Sequence, residues 1–173
     1  LLFILTSQIF TQIDVSGPID QNTTWLSSLS PYNVIDDALV MDGVTLTIEP
    51  GTEIVYQGSH KIEVNGNIIA NGTNSDHIIF KSNEEGVSSD ATMLLFSNTD
   101  LSTSELSYLT MKDAFMGIRV EGDNLETLQI SQVNLIRSGL NTGSETSSNS
   151  AYIHLIDGTI EDSTIKGDYP NSG

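Results

Sequence analysis

Short stretches in which apolar and polar residues alternate recur along this chain, as in Thr45-Leu46-Thr47-Ile48, Ile62-Glu63-Val64 and Leu109-Thr110-Met111. Each is bounded by Gly, Asn, Asp or Ser. Period-two alternation sends successive side chains to opposite faces of a strand, and no stretch sustains the three-and-four spacing of an amphipathic helix. The pattern predicts an all-β protein of short strands and tight turns.

The strands are periodic. Leu46, Ile62 and Ile78 are evenly spaced, and Ile48, Val64 and Phe80 repeat the same interval of 16. Further along, Leu94 and Ile118, Phe96 and Val120, Leu106 and Ile130, Leu109 and Val133, and Met111 and Leu135 all share a spacing of 24. The next copy is expected at an interval of 30, at Ile160, Ser163 and Ile165, with the added length in the Ser, Thr, Asn and Gly tract 139–150. A coil of about 24 residues holding several strands, tolerant of an insertion in one coil, is the signature of a solenoid. The expected fold is a parallel β-helix. Leu109, Val133 and Ser163 would form one inward column and Met111, Leu135 and Ile165 its neighbour, with Thr110, Asn134 and Thr164 pointing out between them. Glu49-Pro50-Gly51-Thr52 and Val64-Asn65-Gly66-Asn67 read as turns.

These residues resemble a known group. Trp25, Pro31 to Val34, Gly43 to Thr52, Val64-Asn65-Gly66, Ala70 to Thr73 and Ile78 to Ser82 look like the opening rungs of secreted right-handed parallel β-helix proteins with a pectin-lyase-like fold. Leu106 to Met111, Gly117-Ile118 and Ile130 to Gly139 resemble the repeated coil of that family. The resemblance covers about Trp25 to Gly167 and implies architecture, since lyases, hydrolases, adhesins and plain surface proteins share such coils.

Residues 1–13 open with an apolar run too short to span a bilayer and read as a signal peptide clipped at its front; the same run also fits a buried strand. Residues 14–43 are expected to form an N-terminal cap and leading strand, and 44–173 the coils. The closing Asp168 to Gly173 has loop composition, so the coils read as continuing beyond it.

Composition narrows the function. Six Lys and Arg against 23 Asp and Glu give a net charge of −17, which repels phosphate backbones and anionic headgroups, so nucleic acid is excluded as a partner. With no cysteine there is no disulfide framework, thiolate metal site or cysteine nucleophile. About a third of the residues are Ser, Thr, Asn or Gln, a neutral polar surface suited to the exported setting that the resemblance implies.

Lyases of the resembled fold combine acidic Ca²⁺ ligands with an Arg or Lys base, and its hydrolases gather carboxylates and a His on one face. Arg137 follows Asp113 by the same interval of 24, with Lys112 and Arg119 nearby, and Lys112, Ile136 and Lys166 are expected at equivalent outward positions. Lys112, Asp113, Arg119, Arg137 and Lys166 are thus the candidate ligand-binding residues. An Asp–Arg surface ion pair is the plainer account of the Asp113–Arg137 spacing. The doublets Asp36-Asp37, Glu84-Glu85 and Glu161-Asp162 read as solvated corners, and His60, His77 and His154 as scattered surface residues. No Ca²⁺-binding nonapeptide or EF-hand loop is present, so incidental Ca²⁺ is the one cofactor that the charge admits. Asn22-Thr23-Thr24 and Asn71-Gly72-Thr73 match the N-glycosylation pattern, and Thr45 and Thr47 make one step of an ice-binding ladder that Lys61 and Glu63 break. The reading that follows is a non-catalytic, secreted or cell-surface module, serving as spacer or binding an extracellular glycan or surface protein. Its alternative is a polysaccharide lyase or glycoside hydrolase with its site partly outside this chain.

Overall fold

A computed structural model gives the structure of the chain and describes residues 12–83, 92–97, 100–121, 127–142, 152–161 and 165–167. The strands are β1 (Ile13–Ile19), β2 (Thr23–Trp25), β3 (Tyr32–Val40), β4 (Thr45–Ile48), β5 (Glu53–Tyr56), β6 (Ile62–Val64), β7 (Asn67–Asn71), β8 (Ile78–Ser82), β9 (Thr92–Ser97), β10 (Glu105–Glu121), β11 (Thr127–Thr142), β12 (Tyr152–Glu161) and β13 (Ile165–Gly167). Two single 3-10 turns, Ser27–Leu29 and Leu101–Thr103, accompany them.

Every strand pairing among the described residues is parallel, and the register resolves into three faces of a solenoid. On the first face Trp25, Ile48, Ala70, Leu106, Ile130 and Leu155 stack in line. Ile13, Tyr32, Ile54, Phe80, Met111, Leu135 and Ile160 stack on the second. The third carries Gly17, Ala38, Ile62, Leu94, Ile118, Leu140 and Ile165. Parallel strands need long crossovers, and here the other two faces of each coil supply the crossover, so every strand pairs with its counterpart one coil away. The all-β parallel solenoid read from the periodicity is the fold.

The core is the pile of inward columns. Ile54, Ile62, Phe80, Leu94, Phe96, Leu109 and Met111 are fully buried, and Tyr56 fills the axis while its hydroxyl donates to the Met93 carbonyl at 2.8 Å. Such a buried hydroxyl needs this partner, because an unpaired one costs about 1–3 kcal/mol. Trp25 stacks on Tyr32 at a ring separation of 4.8 Å near the N-terminal end. Corners turn tightly where one residue takes a left-handed conformation: Gly51 at φ 80°, Tyr108 at 50° and Gln132 at 53° between the first and second faces, and Asp113 at 60° after the second.

Two details of the sequence reading are corrected. The 16-residue spacing is two faces of a three-sided coil: Leu46, Ile62 and Ile78 lie on the first, third and second faces. The coil after Leu135 has a period of 25, not 30, since Ile130 pairs with Leu155 and Leu135 with Ile160. Ile160 therefore belongs to the second face, and the register pairs Val133 with Gly158, Asn134 with Thr159 and Leu135 with Ile160, in place of the expected Ser163, Thr164 and Ile165. Residues 14–43, expected as a cap and leading strand, contribute β1 to β3, which already stand in the same stacks. Of the expected signal remnant 1–13, residues 1–11 lie outside the described residues, and Ile13 opens β1 opposite Tyr32.

Candidate functional site: a basic groove on the second face

Outward positions of the second face alternate with buried Phe80 and Met111, and this alternation sends Lys81 and Lys112 to the surface. The two lysines are register partners in adjacent coils. They border an open groove of ≈ 670 Å³ together with Val55, Ser82, Asn83 and Asp113, closed on the far side by Ile136. Lys81 is neutralised by Glu53, its Nζ lying 2.7 Å from Oε1. Lys112 forms no ion pair among the described residues. Asp113 turns the chain within β10, where it leaves the second face, and is buried, with 6% of its surface exposed.

Asn83, which lines the groove, ends an amide ladder across three coils. Gln57 donates its Nε2 to Asn33 Oδ1 at 2.7 Å, and Asn83 donates Nδ2 to Gln57 Oε1 at 3.0 Å. Such a ladder holds the Asn83 amide in place beside Lys112, over an apolar floor at Val55. Fixed neutral donors and one uncompensated ammonium over apolar surface suit a polyhydroxylated ligand bearing an acid group.

The structure brings together only part of the candidate set. Lys112 and Asp113 line the groove, and Arg137 is placed by its flanking pairs, Lys112 with Ile136 and Ala114 with Ser138, at the same corner one coil on. Arg119 and Lys166 are elsewhere, on the third face, where Arg119 pairs in register with Asn141 and Asn141 with Lys166. The Arg119 guanidinium is engaged by Glu121 at 2.5 Å. At the position expected for Lys166 beside Ile136 the register instead places Glu161. The reason is the shorter coil, which shifts the last strands against the expected alignment. Among the described residues, Asp113 is the one carboxylate lining the groove, so no acid–base pair of the glycosidase kind is assembled there.

The two glycosylation motifs sit differently. Asn22 is exposed and its Oδ1 accepts the Thr45 N–H at 2.9 Å, whereas the Asn71 amide is held between coils by Glu105 at 2.6 Å and Ser107 at 2.9 Å. Asn71, Glu105, Ser107 and Ser131 line a second, hydroxyl-rich groove of ≈ 410 Å³ on the first face. His77 joins Thr110 through Nδ1 at 3.0 Å and meets the Tyr108 ring edge-on, as a surface residue at a corner does. The Glu84-Glu85 doublet lies outside the described residues.

Sequence reading missed a convergence at the corner between the second and third faces. Asp36 and Asp37 meet His60 and Lys61 of the next coil there. The signal was available, because Asp36-Asp37 and His60-Lys61 are offset by one whole coil of this solenoid. Nearby, Glu63 is partly buried, which raises its pKa; hydrogen bonds from Ser97 and Lys61 and the Lys61 charge outweigh that and hold the carboxyl below its ordinary value.

No helix among the described residues is long and apolar enough to cross a membrane. No family model and no solved structure matches the chain. The chain is similar to Protein bark beetle of Drosophila melanogaster, 35% identical over 77 residues that make up 44% of this chain and 2% of that protein. It thus spans a small fraction of the curated relative it matches.

Proposed function

We propose that the chain is a non-catalytic segment of an exported, right-handed, pectin-lyase-like β-helix that binds an acid-bearing glycan along its second face. The observation that carries this reading is Lys112, an ammonium without an ion-pair partner among the described residues of a chain with net charge −17, set in a groove of ≈ 670 Å³. Where acidic residues outnumber basic ones so heavily, an unneutralised lysine in a concavity is a local attractor for an anionic group. Beside it, Asn83, Ser82 and the Lys81–Glu53 pair supply fixed polar groups for hydroxyls. The module's repetitive stacking explains the remainder of the chain as scaffold, with loops and outward columns free to vary.

The test is a glycan array and a polysaccharide-degradation screen on one preparation, with and without Ca²⁺, comparing wild type with Lys112→Ala and Lys112→Glu. Retention of acidic glycans that falls about tenfold in the alanine variant, the equivalent of roughly 1.4 kcal/mol, and vanishes in the glutamate variant supports the reading. Binding indifferent to both substitutions removes the groove as the site. Turnover of any polysaccharide by the wild type overturns the non-catalytic assignment.

A further inference from the structure

We propose that Asp36, Asp37 and His60 form a binding site for a divalent transition ion of the Zn²⁺ class, clasping two successive coils at the corner between the second and third faces. Asp36 and Asp37 stand where β3 bends from one face to the next, and His60 occupies the same corner one coil later. His60 Nδ1 lies 3.8 Å from Asp36 Oδ1 and 3.9 Å from Asp37 Oδ1, and the three donor atoms fall within 4.8 Å of one another. Two oxygens and an imidazole nitrogen around a tetrahedral Zn²⁺, at bonds of about 2.0–2.2 Å, are separated by roughly 3.4 Å. The donors facing His60 need to close by only about half an ångström, within reach of side-chain torsions at an exposed corner.

The backbone places these donors independently of any ion. Asp36 Oδ1 accepts the Asp37 N–H at 2.8 Å and Asp37 Oδ1 accepts the Lys61 N–H at 3.1 Å. The Ala38 N–H donates to the Lys61 carbonyl at 2.9 Å, which fixes the two corners in register. The imidazole folds back over Gly58: a Cβ there would stand 3.2 Å from its Nε2, so the missing side chain leaves the ring room to present Nδ1 to the carboxylates. Compensation by lysine is incomplete. Lys61 Nζ is 3.2 Å from Glu63 Oε2 but 3.9 Å from Asp37 Oδ2, and Asp36 has no Lys or Arg partner among the described residues. The pair of carboxylates therefore keeps negative charge facing an imidazole, a donor set that is not purely acidic.

That mixture selects the ion. Ca²⁺ and Mg²⁺ take oxygen ligands, whereas imidazole suits Zn²⁺ and its neighbours in the first transition row. Three protein donors leave the fourth position to water, so the ion would act as a cross-link between coils with one exchangeable site.

Titration of the full chain with Zn²⁺ by calorimetry, and with Co²⁺ by visible absorption, tests this in wild type, His60→Ala, Asp36→Asn and the control His77→Ala. One equivalent bound, tetrahedral Co²⁺ bands, and affinity at least tenfold weaker in His60→Ala and Asp36→Asn but unchanged in His77→Ala would establish the site. Far-UV circular dichroism confirms that each variant is folded, and Asp36→Asn at an exposed position carries the comparison if His60→Ala is not. Absence of saturable binding by the wild type up to millimolar ion, or binding retained in both site variants, overturns the proposal.

Discussion

Replacing Gly66 by alanine adds one methyl group at the corner between the third and first faces, and the structure says where that methyl would go. Its Cβ would lie 2.2 Å from the Val44 carbonyl oxygen and 2.3 Å from that of Met41, both backbone atoms of the preceding coil. A carbon and a carbonyl oxygen normally keep about 3.3 Å apart, so both carbonyls must retreat by roughly 1 Å. They cannot do so without cost, because Val44 O accepts the Asn67 N–H at 2.8 Å and Met41 O accepts the Val44 N–H at 3.0 Å. Losing these bonds costs about 1–3 kcal/mol for each group left unsatisfied, and overpacking adds about 1–3 kcal/mol. The unfolded chain gives back about 0.4–1 kcal/mol through its reduced freedom, so the net expectation is a loss of roughly 2–8 kcal/mol. Gly58→Ala is the matched control, since its added carbon meets only the movable His60 ring at 3.2 Å and should cost under about 1 kcal/mol. Urea unfolding followed by far-UV circular dichroism and by the fluorescence of Trp25, the single tryptophan, measures both. A Gly66→Ala variant within about 1 kcal/mol of wild type, or one more stable than Gly58→Ala, refutes the close approach of coils argued here.

Other perturbations test separate parts of the molecule. Phe80→Ala empties a fully buried site on the second face and should cost about 3–5 kcal/mol in the same urea assay. Tyr56→Phe leaves the Met93 carbonyl without its donor and should cost about 1–3 kcal/mol. Burial pushes the Tyr56 hydroxyl well above its ordinary pKa of 10.0, so its contribution is whole below that value and declines as pH rises and the unfolded chain ionises first. Urea midpoints at neutral and alkaline pH should accordingly fall less steeply in Tyr56→Phe than in wild type. For Glu63, held below its ordinary value, the sign reverses: its contribution is present above the unfolded pKa and is lost as pH falls through the folded one. Ser97→Ala, which removes one donor to that carboxylate, should lower the thermal midpoint at neutral pH and make little difference in strong acid.

The fold was legible because the register of the later coils is carried by inward aliphatic residues that have no other reason to recur, Leu109 with Val133 and Met111 with Leu135 among them. The cross-section of the first coils was hidden by a numerical accident. Their inward residues repeat at two-thirds of a coil as well as at a whole one, and only pairing partners distinguish the two. The last coil misled for a different reason: β12 runs unbroken over two faces, so its aliphatic positions look alike in a one-dimensional pattern, although Leu155 and Ile160 belong to different stacks. The candidate basic column inherited that error, which separated Lys166 from Lys112. Lys81 was overlooked because its register partner Lys112 lies across a coil longer than the repeat. The Asp36, Asp37 and His60 corner was passed over since the whole-coil spacing was sought only in the second half of the chain.

Parallel pairing of every strand with its counterpart one coil away also decides how this chain answers to tension. Pulled from its ends, the solenoid is loaded along its axis, and the ladder that opens first is the one at a terminal coil, peeled a few hydrogen bonds at a time. Each coil is a store of slack. Once released, the coil from Leu106 to Ile130, about 24 residues of chain, extends by roughly 80 Å while giving up an axial rise of only about 5 Å. A tether built this way lengthens in discrete steps and re-winds when slack, a spring with a stepwise reserve instead of a rigid rod.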